Sequence, residues 1–482
     1  MRLRHTARMR QESQPDTRSL PIPPERLSSV DRAFLNMERA TNPMVIVALI
    51  VLGAPLKRTQ VRDRLAARLL AHRRFCCIPR EGLAQAQWEP FEGFDIDDHV
   101  LATALPAPGH QQALEQRVGE LASEPLPQGR PLWSFHVLER YGRGSAIIAR
   151  IHHCYADGIA LVRILLSLSE DPAPPARRSH RQAARAATRR TMALMGGISQ
   201  ALQDPRRLAE AGLHWALHPQ DGAAAAREAA GLLEELARLA VLPDDPPSRL
   251  KRPLSGIRRV AWGAPLLLEE VRTIGKVLGC TVNDVLISTL AGALGQHLAA
   301  QGDDTHGVTL RATVPVDLRS RQDAPPELGN QFGLVFVELP IGVRHPLERL
   351  YQVRSGMRTL KGSEQAMLTY GLLATVGSLP RPLEDLAMRI FSAKASLVAS
   401  NLRGPEAALQ IAGASVRQLL FWVPQSGGIG TGISILSYHG HVQFGVIADR
   451  ALLPEPADLI DRIQKAFEQL VLLVLLGGAA LS

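Results

Sequence analysis

The eight residues Val45–Leu52, VIVALIVL, contain no polar member, and most are β-branched. A strand sends alternate side chains to opposite faces, so such a run is predicted to be a strand buried on both sides. Around it the spacing alternates between helical and extended. Ser29–Met37 is predicted as a short helix with Asp31 and Arg32 on its outer side, and His110–Leu121 as a longer helix. Phe135–Leu138 and Ser145–Ile151 read as strands, and Ile159–Leu168 returns to helical spacing. An α/β architecture (α+β in its order of elements) follows.

Composition divides the chain. Residues 1–26 form a basic, Pro-punctuated extension expected to be flexible, and residues 27–171 a first α/β half. Residues 172–250 form a connector and residues 251–482 a second half. The connector is bounded by Pro172, Pro174 and Pro175 and by Pro243, Pro246 and Pro247. Between them, Arg177–Arg190 carries six arginines and His180, and Ala223–Ala240 has the composition of an Ala/Glu/Leu helix. In the second half, Ile257–Trp262 and Val308–Val316 read as strands, and Leu266–Leu278 and Val282–Ala299 as helices.

A chain of 482 residues with 46% hydrophobic content has enough material for two or three buried cores. Its net charge of +9 and pI near 9.8 favour anionic partners: nucleic acid, lipid headgroups or a phosphorylated co-substrate. Aromatic content is only 4%, with no zinc-finger spacing and no basic-aromatic interleaving, so nucleic acid is the weakest of these. Cys76 and Cys77 are adjacent, a poor geometry for a mutual staple, and a reducing compartment is expected. Met1–Gln14 lacks the apolar core of a secretory signal. The apolar run Leu470–Leu481 is about half of the roughly 20 residues needed to span a bilayer. A cytoplasmic location without a transmembrane helix is the expectation.

Several catalytic signatures are missing: Gly-x-Ser-x-Gly, a Gly-Lys-Ser/Thr phosphate loop, and His-Glu-x-x-His. Gly428–Gly432 is glycine-rich, but its spacing suits a tight turn better than a phosphate cradle. The strongest local signal is His152-His153 followed by Asp157-Gly158, where a buried strand gives way to a helix. Alternation places the two histidines on opposite faces, so one acts and the other supports. A neutral imidazole can take an alcohol proton as that oxygen attacks an acyl carbonyl, then return it to the leaving group. Asp157 is placed to orient the loop, and Gly158 to allow a close approach closed to larger residues. Structural packing and metal ligation remain alternative uses of a histidine pair. Cys154 alternates away from His153, which disfavours zinc, and no metal is expected.

The segment His152–Gly158 resembles the His-His-x-x-x-Asp-Gly motif of the coenzyme A-dependent acyltransferase superfamily. The whole chain resembles its bacterial wax ester synthase/diacylglycerol acyltransferase branch. The resemblance is carried, in order, by Leu27–Leu35, Thr41–Met44, Phe94–Val100, Pro131–Trp133, Thr281–Leu286, Val314–Arg319, Gly329–Gly333 and Ser400–Pro405. It implies two chloramphenicol-acetyltransferase-like subdomains with a substrate tunnel between them. It further implies His153 as the general base and acyl-CoA as co-substrate, with no resident cofactor. The implied acceptor is diacylglycerol or a long-chain alcohol taken from a peripheral membrane or lipid-droplet surface, at the inner membrane or lipid inclusions. Asn283 and Asp284 match the family's Asn-Asp pair, expected on a helix facing the histidine. The alternative use for that pair is to satisfy backbone groups at a helix start. Trp133 is expected in a core beside the active strand.

Two departures stand out. Arg403 replaces a proline in the family's Ser-Asn-x-Pro-Gly-Pro turn, and Tyr155 is bulkier than the usual occupant of the motif's middle, suggesting a narrower tunnel. Competing readings are a condensation-type enzyme using a carrier-protein thioester and a non-catalytic lipid-droplet homologue. Arg177–Arg190 suits either an electrostatic membrane contact or a solvated linker. Leu470–Leu476 suits either a membrane contact or packing of a terminal helix.

Overall fold

The computed structural model describes residues 25–80, 86–107, 109–170, 241–319, 328–363, 365–377 and 381–479. Arg177–Arg190 and Ala223–Ala240 lie outside them. The strand Val45–Leu52 forms as expected and is buried at every position. It lies inside a six-stranded sheet of order Gln410–Ile411, Ala414–Trp422, Val45–Leu52, Gly144–His152, Trp133–Tyr141, Val100–Ala102. Neighbours are antiparallel, except that Val100–Ala102 runs parallel to Trp133–Tyr141. Three helices cover the sheet: Val61 and Leu65 of helix Arg58–Arg68, Leu114 and Val118 of Gln111–Ser123, and Leu161 and Leu165 of Gly158–Ser167 all join its core. Leu436, Tyr438 and Ile447 from the second sheet join the same core, which is why the strand is apolar on both faces.

The second sheet has the order Phe332–Leu339, Leu310–Asp317, Leu397–Arg403, Thr431–Tyr438, His441–Asp449, Arg258–Trp262, with the short strand Leu266–Leu267 beside His441–Asp449. Leu310–Asp317, Leu397–Arg403 and Thr431–Tyr438 are mutually parallel. Helices Leu268–Val277, Val282–Ala300, Pro346–Gly362 and Pro456–Ala479 pack around a second core. The C-terminal helix thus buries Leu459, Ile463, Phe467 and Leu470, while Leu472, Leu475 and Leu476 are exposed. No single helix among the described residues is long and apolar enough to cross a membrane. Leu268–Val277 and Val282–Ala300 together would be, but they bend by 99°.

Several details differ from the sequence reading. Glu25–Arg26, assigned to the extension, pair as a strand with Gln87 and Trp88. Leu266–Leu267, read as the start of a helix, are extended because they complete an edge of the second sheet. The chain also does not partition its sheets at residue 251: Gln410–Trp422, deep in the second half, supplies two strands of the first sheet. A third link is helix Gln365–Val376, which packs against both Phe332–Leu339 and helix Ser29–Asn36.

Leu49 is fully buried at the centre of this arrangement, paired with Ile148 on one side and Leu420 on the other. Leu49→Ala is expected to lower stability by roughly 2–5 kcal/mol, as for other large-to-small core changes, read as a shift of the guanidinium unfolding midpoint.

Candidate active site

Strand Gly144–His152 ends at its pairing with Val45, and the next amide, His153 N–H, donates to the Met44 carbonyl at 2.8 Å. The chain then turns through Cys154–Ala156 into helix Gly158–Ser167. His152 Nδ1 accepts the Cys154 N–H at 3.2 Å, so its proton resides on Nε2, which donates to Glu38 at 3.0 Å. The same Glu38 oxygen accepts the Met44 N–H at 2.7 Å. His152 therefore ties three segments together and has no free nitrogen for chemistry.

His153 has different surroundings. Its ring stacks on Phe34 with centroids 3.9 Å apart and planes at 16°, and Phe332 leans on it at 5.6 Å. The residue is 3% exposed, and its Nδ1 is buried without a hydrogen-bond partner. Burial lowers its pKa to about 4, against the opposing charge of Asp157. At neutral pH the imidazole is uncharged and able to accept a proton.

Asp157 caps helix Gly158–Ser167: its Oδ1 accepts the Ala160 N–H at 2.9 Å. Its Oδ2 accepts Arg319 Nη2 at 2.5 Å and the Gln331 N–H at 3.0 Å. Both oxygens are thus committed, and the side chain is 2% exposed. Burial disfavours the Arg319 charge, but the neighbouring Asp157 and Asp317 carboxylates outweigh it and hold the guanidinium pKa above its ordinary value. Arg319 Nη2 also donates to the Gly329 carbonyl at 2.7 Å. Gly329 has φ of +126°, a backbone region that side chains disfavour.

A second bridge lies alongside. Asn330 Nδ2 donates to the His153 carbonyl at 2.8 Å and to Asp31 Oδ1 at 2.7 Å. Asp31 is not on an outer face as the sequence suggested: it is 1% exposed, while Arg32 is half-buried. Burial pushes the Asp31 carboxyl upward, and Arg74 and Asn330 oppose that shift. Arg74 Nη1 in turn donates to the Tyr155 carbonyl at 2.8 Å. Asp31 turns inward because the Asn330 amide and the Arg74 guanidinium compensate its burial. Asp31, Arg319 and Asn330 lie within segments that carried the resemblance, but nothing in their spacing marks them as mutual partners. Phe34 and Phe332 were likewise missed, since an aromatic at helical or strand spacing reads as ordinary core.

The remaining sequence candidates separate clearly. Gly158 sits at a close approach: a Cβ there would lie 3.0 Å from the Phe421 ring and 3.2 Å from a Val423 methyl, which would have to shift by a few tenths of an ångström to admit it. Asp284 caps its own helix through a reciprocal pair with Thr281, and Asn283 accepts a hydrogen bond from Asn401 at 3.1 Å. Asp284 thus serves the helix start, whereas Asn283 reaches strand Leu397–Arg403 and no backbone group of its own helix. Tyr155 is fully buried with its hydroxyl between Cys77 and Leu132, and it stacks on Phe75, so it fills the first core. Trp133 lies in that core too. Arg403 closes a strand and is 3.7 Å from Glu406. Gly427–Gly428 form a turn before strand Thr431–Tyr438. Among the described residues no group of three or more His, Cys, Asp or Glu side chains can hold a metal ion.

Two mixed sheets joined by a crossing strand, with a histidine at their seam, define a two-lobed fold shared with acyl-transfer and condensation proteins. It matches the wax ester synthase/diacylglycerol acyltransferase from Marinobacter aquaeolei VT8 with a TM-score of 0.64 at 22% identity, over 93% of this chain and 99% of that one. The first condensation domain of the calcium-dependent antibiotic synthetase matches with a TM-score of 0.56 at 16% identity, over 94% and 96%. In sequence, residues 27–286 match the wax ester synthase/diacylglycerol acyltransferase catalytic domain, and residues 328–471 match the WS/DGAT C-terminal domain. The chain belongs to the wax ester synthase/diacylglycerol acyltransferase family and is an acyltransferase. A curated relative, "Probable diacyglycerol O-acyltransferase tgs1" of Mycobacterium tuberculosis (strain ATCC 25618 / H37Rv), is 29% identical over 460 residues, 92% of this chain and 95% of the relative.

Asp157→Ala removes both a helix cap and one partner of a buried ion pair, and is expected to destabilise the protein by roughly 3–5 kcal/mol. Asp157→Asn retains a good cap and should recover about 1 kcal/mol of that loss. Urea unfolding of the two variants against the parent checks both values.

Proposed function

We propose that the protein esterifies diacylglycerol or a long-chain alcohol with the acyl group of acyl-CoA, His153 acting as general base. The observation that carries this reading is a buried, neutral imidazole with an unpartnered nitrogen, held at the seam between two lobes. In this route His153 takes the hydroxyl proton of the acceptor as its oxygen attacks the thioester carbonyl. The tetrahedral intermediate collapses, the C–S bond breaks, and the imidazolium passes the same proton to the departing coenzyme A thiolate. Atoms balance without a covalent enzyme intermediate or a bound cofactor. Asp157 is too committed to its cap and to Arg319 to exchange protons, but its charge favours the imidazolium as it forms. It is a positioning residue in this scheme, and so are His152 and Asn330.

The names borne by the matching relatives supply the acceptor classes, diacylglycerol and the alcohol of a wax ester. Both acceptors are nearly insoluble in water, so the proposed setting is cytoplasmic, at a membrane or lipid-inclusion surface. Incubation with labelled palmitoyl-CoA and either diacylglycerol or hexadecanol tests donor and acceptor together. A palmitoyl carrier-protein arm separates the condensation-type alternative, and absence of product in every arm would indicate a non-catalytic homologue.

His153→Ala is expected to lower turnover by a factor on the order of 100 to 10,000 while the protein stays folded; near-parental turnover would remove His153 from the mechanism. The pH profile offers a separate check. A histidine of ordinary pKa near 6.5 would make kcat/KM fall below that pH. With burial holding His153 near 4, the base stays unprotonated through pH 6 and 5, and the acidic limb should appear close to pH 4. The sign for stability is the same: the depressed group favours the folded state above pH 6.5, and that contribution is lost as pH falls toward 4.

A further inference from the structure

Helix Arg381–Ala393 is amphipathic in an unusual place. Its inner side buries Glu384, Met388 and Ser392, spaced as one helical face. Met388 joins the cluster that contains Phe34 and Phe332, the two rings against His153. Glu384 accepts a hydrogen bond from Asn36 at 2.9 Å, and Asp385 is paired with Arg39, so the helix is latched to the segment that carries Phe34. At its other end, Lys251 Nζ donates to the carbonyls of Ser392, Ala393 and Ala395, satisfying the helix C-terminus. The helix is thus fixed firmly over the aromatic floor of the candidate active site.

Its outer side is apolar and basic. Leu386 is 47% exposed and Ile390 is 48% exposed, one turn apart, with exposed Pro382 one turn before them. Exposed Arg381 and Arg389 lie along one side of this stripe, and neither forms an ion pair among the described residues. The adjacent carboxylate, Asp385, is already neutralised by Arg39. Beyond the C-terminal end, Val241 is 81% exposed, and its neighbour Leu242 packs with Phe391 of the helix. Leucine and isoleucine left in water beside unpaired arginines form the pattern of a helix lying in a lipid interface, with its cations toward anionic headgroups.

We propose that the outer face of helix Arg381–Ala393 docks the enzyme on an anionic phospholipid surface. This rests on the assigned acceptor class and adds to it the surface by which the acceptor is reached. The charge of the stripe selects an anionic surface over a neutral one, and its position sets the docked lipid one helix and one aromatic ring away from His153. The exposed leucines of the C-terminal helix belong to an element packed on the second core, not on the cluster that holds Phe34 and Phe332.

Flotation with vesicles of equimolar phosphatidylcholine and phosphatidylglycerol tests the proposal, with pure phosphatidylcholine as control. The parent should float with the anionic vesicles only. Leu386→Glu/Ile390→Glu should weaken binding by more than about tenfold, since it removes apolar contact and adds repulsion. Arg381→Gln/Arg389→Gln should weaken it on the order of 25-fold, at about fivefold per cationic side chain, and should flatten its salt dependence. Circular dichroism and thermal melting verify that both variants are folded, and neither replaces a residue that contacts His153. Turnover on vesicle-borne diacylglycerol should fall in parallel with binding, whereas turnover on water-soluble hexanol should match the parent. Parental flotation of the Leu386→Glu/Ile390→Glu variant would overturn the proposal. So would parent dimers, seen by light scattering without vesicles, that the same substitutions dissociate, since the face would then join two copies. Lack of turnover by the parent on both vesicle-borne diacylglycerol and hexanol would count against the assigned reaction instead, with flotation still deciding the surface.

Discussion

The Asp157–Arg319 ion pair is the contact on which the site depends. It joins a helix cap in the first lobe to a loop of the second, across 162 residues of sequence. Buried charges are costly unless paired and hydrogen-bonded, and here both Asp157 oxygens and the Arg319 Nη2 are engaged. Removing either member strands the other. The pair therefore specifies how the lobes meet more than it adds to net stability. The Asn330 amide repeats the logic beside it, reaching from the second lobe to the His153 carbonyl and to Asp31.

This seam keeps His153 buried and its imidazole uncharged. An imidazole between Phe34 and Phe332 loses solvation for its charged form, so it rests neutral. A base with a depressed pKa has a weaker pull on a proton, which the charge of Asp157 partly restores. The backbone of His153 is held at both ends, by Met44 and Asn330. His152 has the opposite character: both nitrogens are occupied, and its work is to hold Glu38 and the end of the strand.

The same aromatic layer connects the site to the outside of the molecule. Phe34 rides on helix Ser29–Asn36, and helix Arg381–Ala393 is bonded to that helix through Asn36 and Arg39. Under the proposed function, a surface-seeking helix placed there would give an insoluble acceptor a short route from the lipid phase to His153. The connector arginines, whose composition suits a membrane contact and a solvated linker equally, lie outside the described residues.

Local sequence determined the parts. The apolar run Val45–Leu52 has one stable environment and forms the strand it predicts. The helix after Asp157 starts where an acidic cap and a glycine allow it, and the His-His-x-x-x-Asp-Gly segment marks the turn that carries His153. Periodicity fails where the partner is remote. Asp31 looks solvent-facing on an isolated helix, and only Asn330, 299 residues away, makes its burial tolerable. Tyr155 looks like a tunnel residue until Cys77 and Leu132 claim its hydroxyl. The Asn283-Asp284 pair serves its own helix and strand Leu397–Arg403. The crossing of Gln410–Trp422 into the first sheet leaves no local trace, because strand pairing depends on which edge is open after the rest has packed. Sequence thus determined which residues form strand and helix, and it marked His153 as the candidate base. The tertiary structure decided which charges would be buried together, because compensation of a buried charge depends on distance in space and not on spacing along the chain.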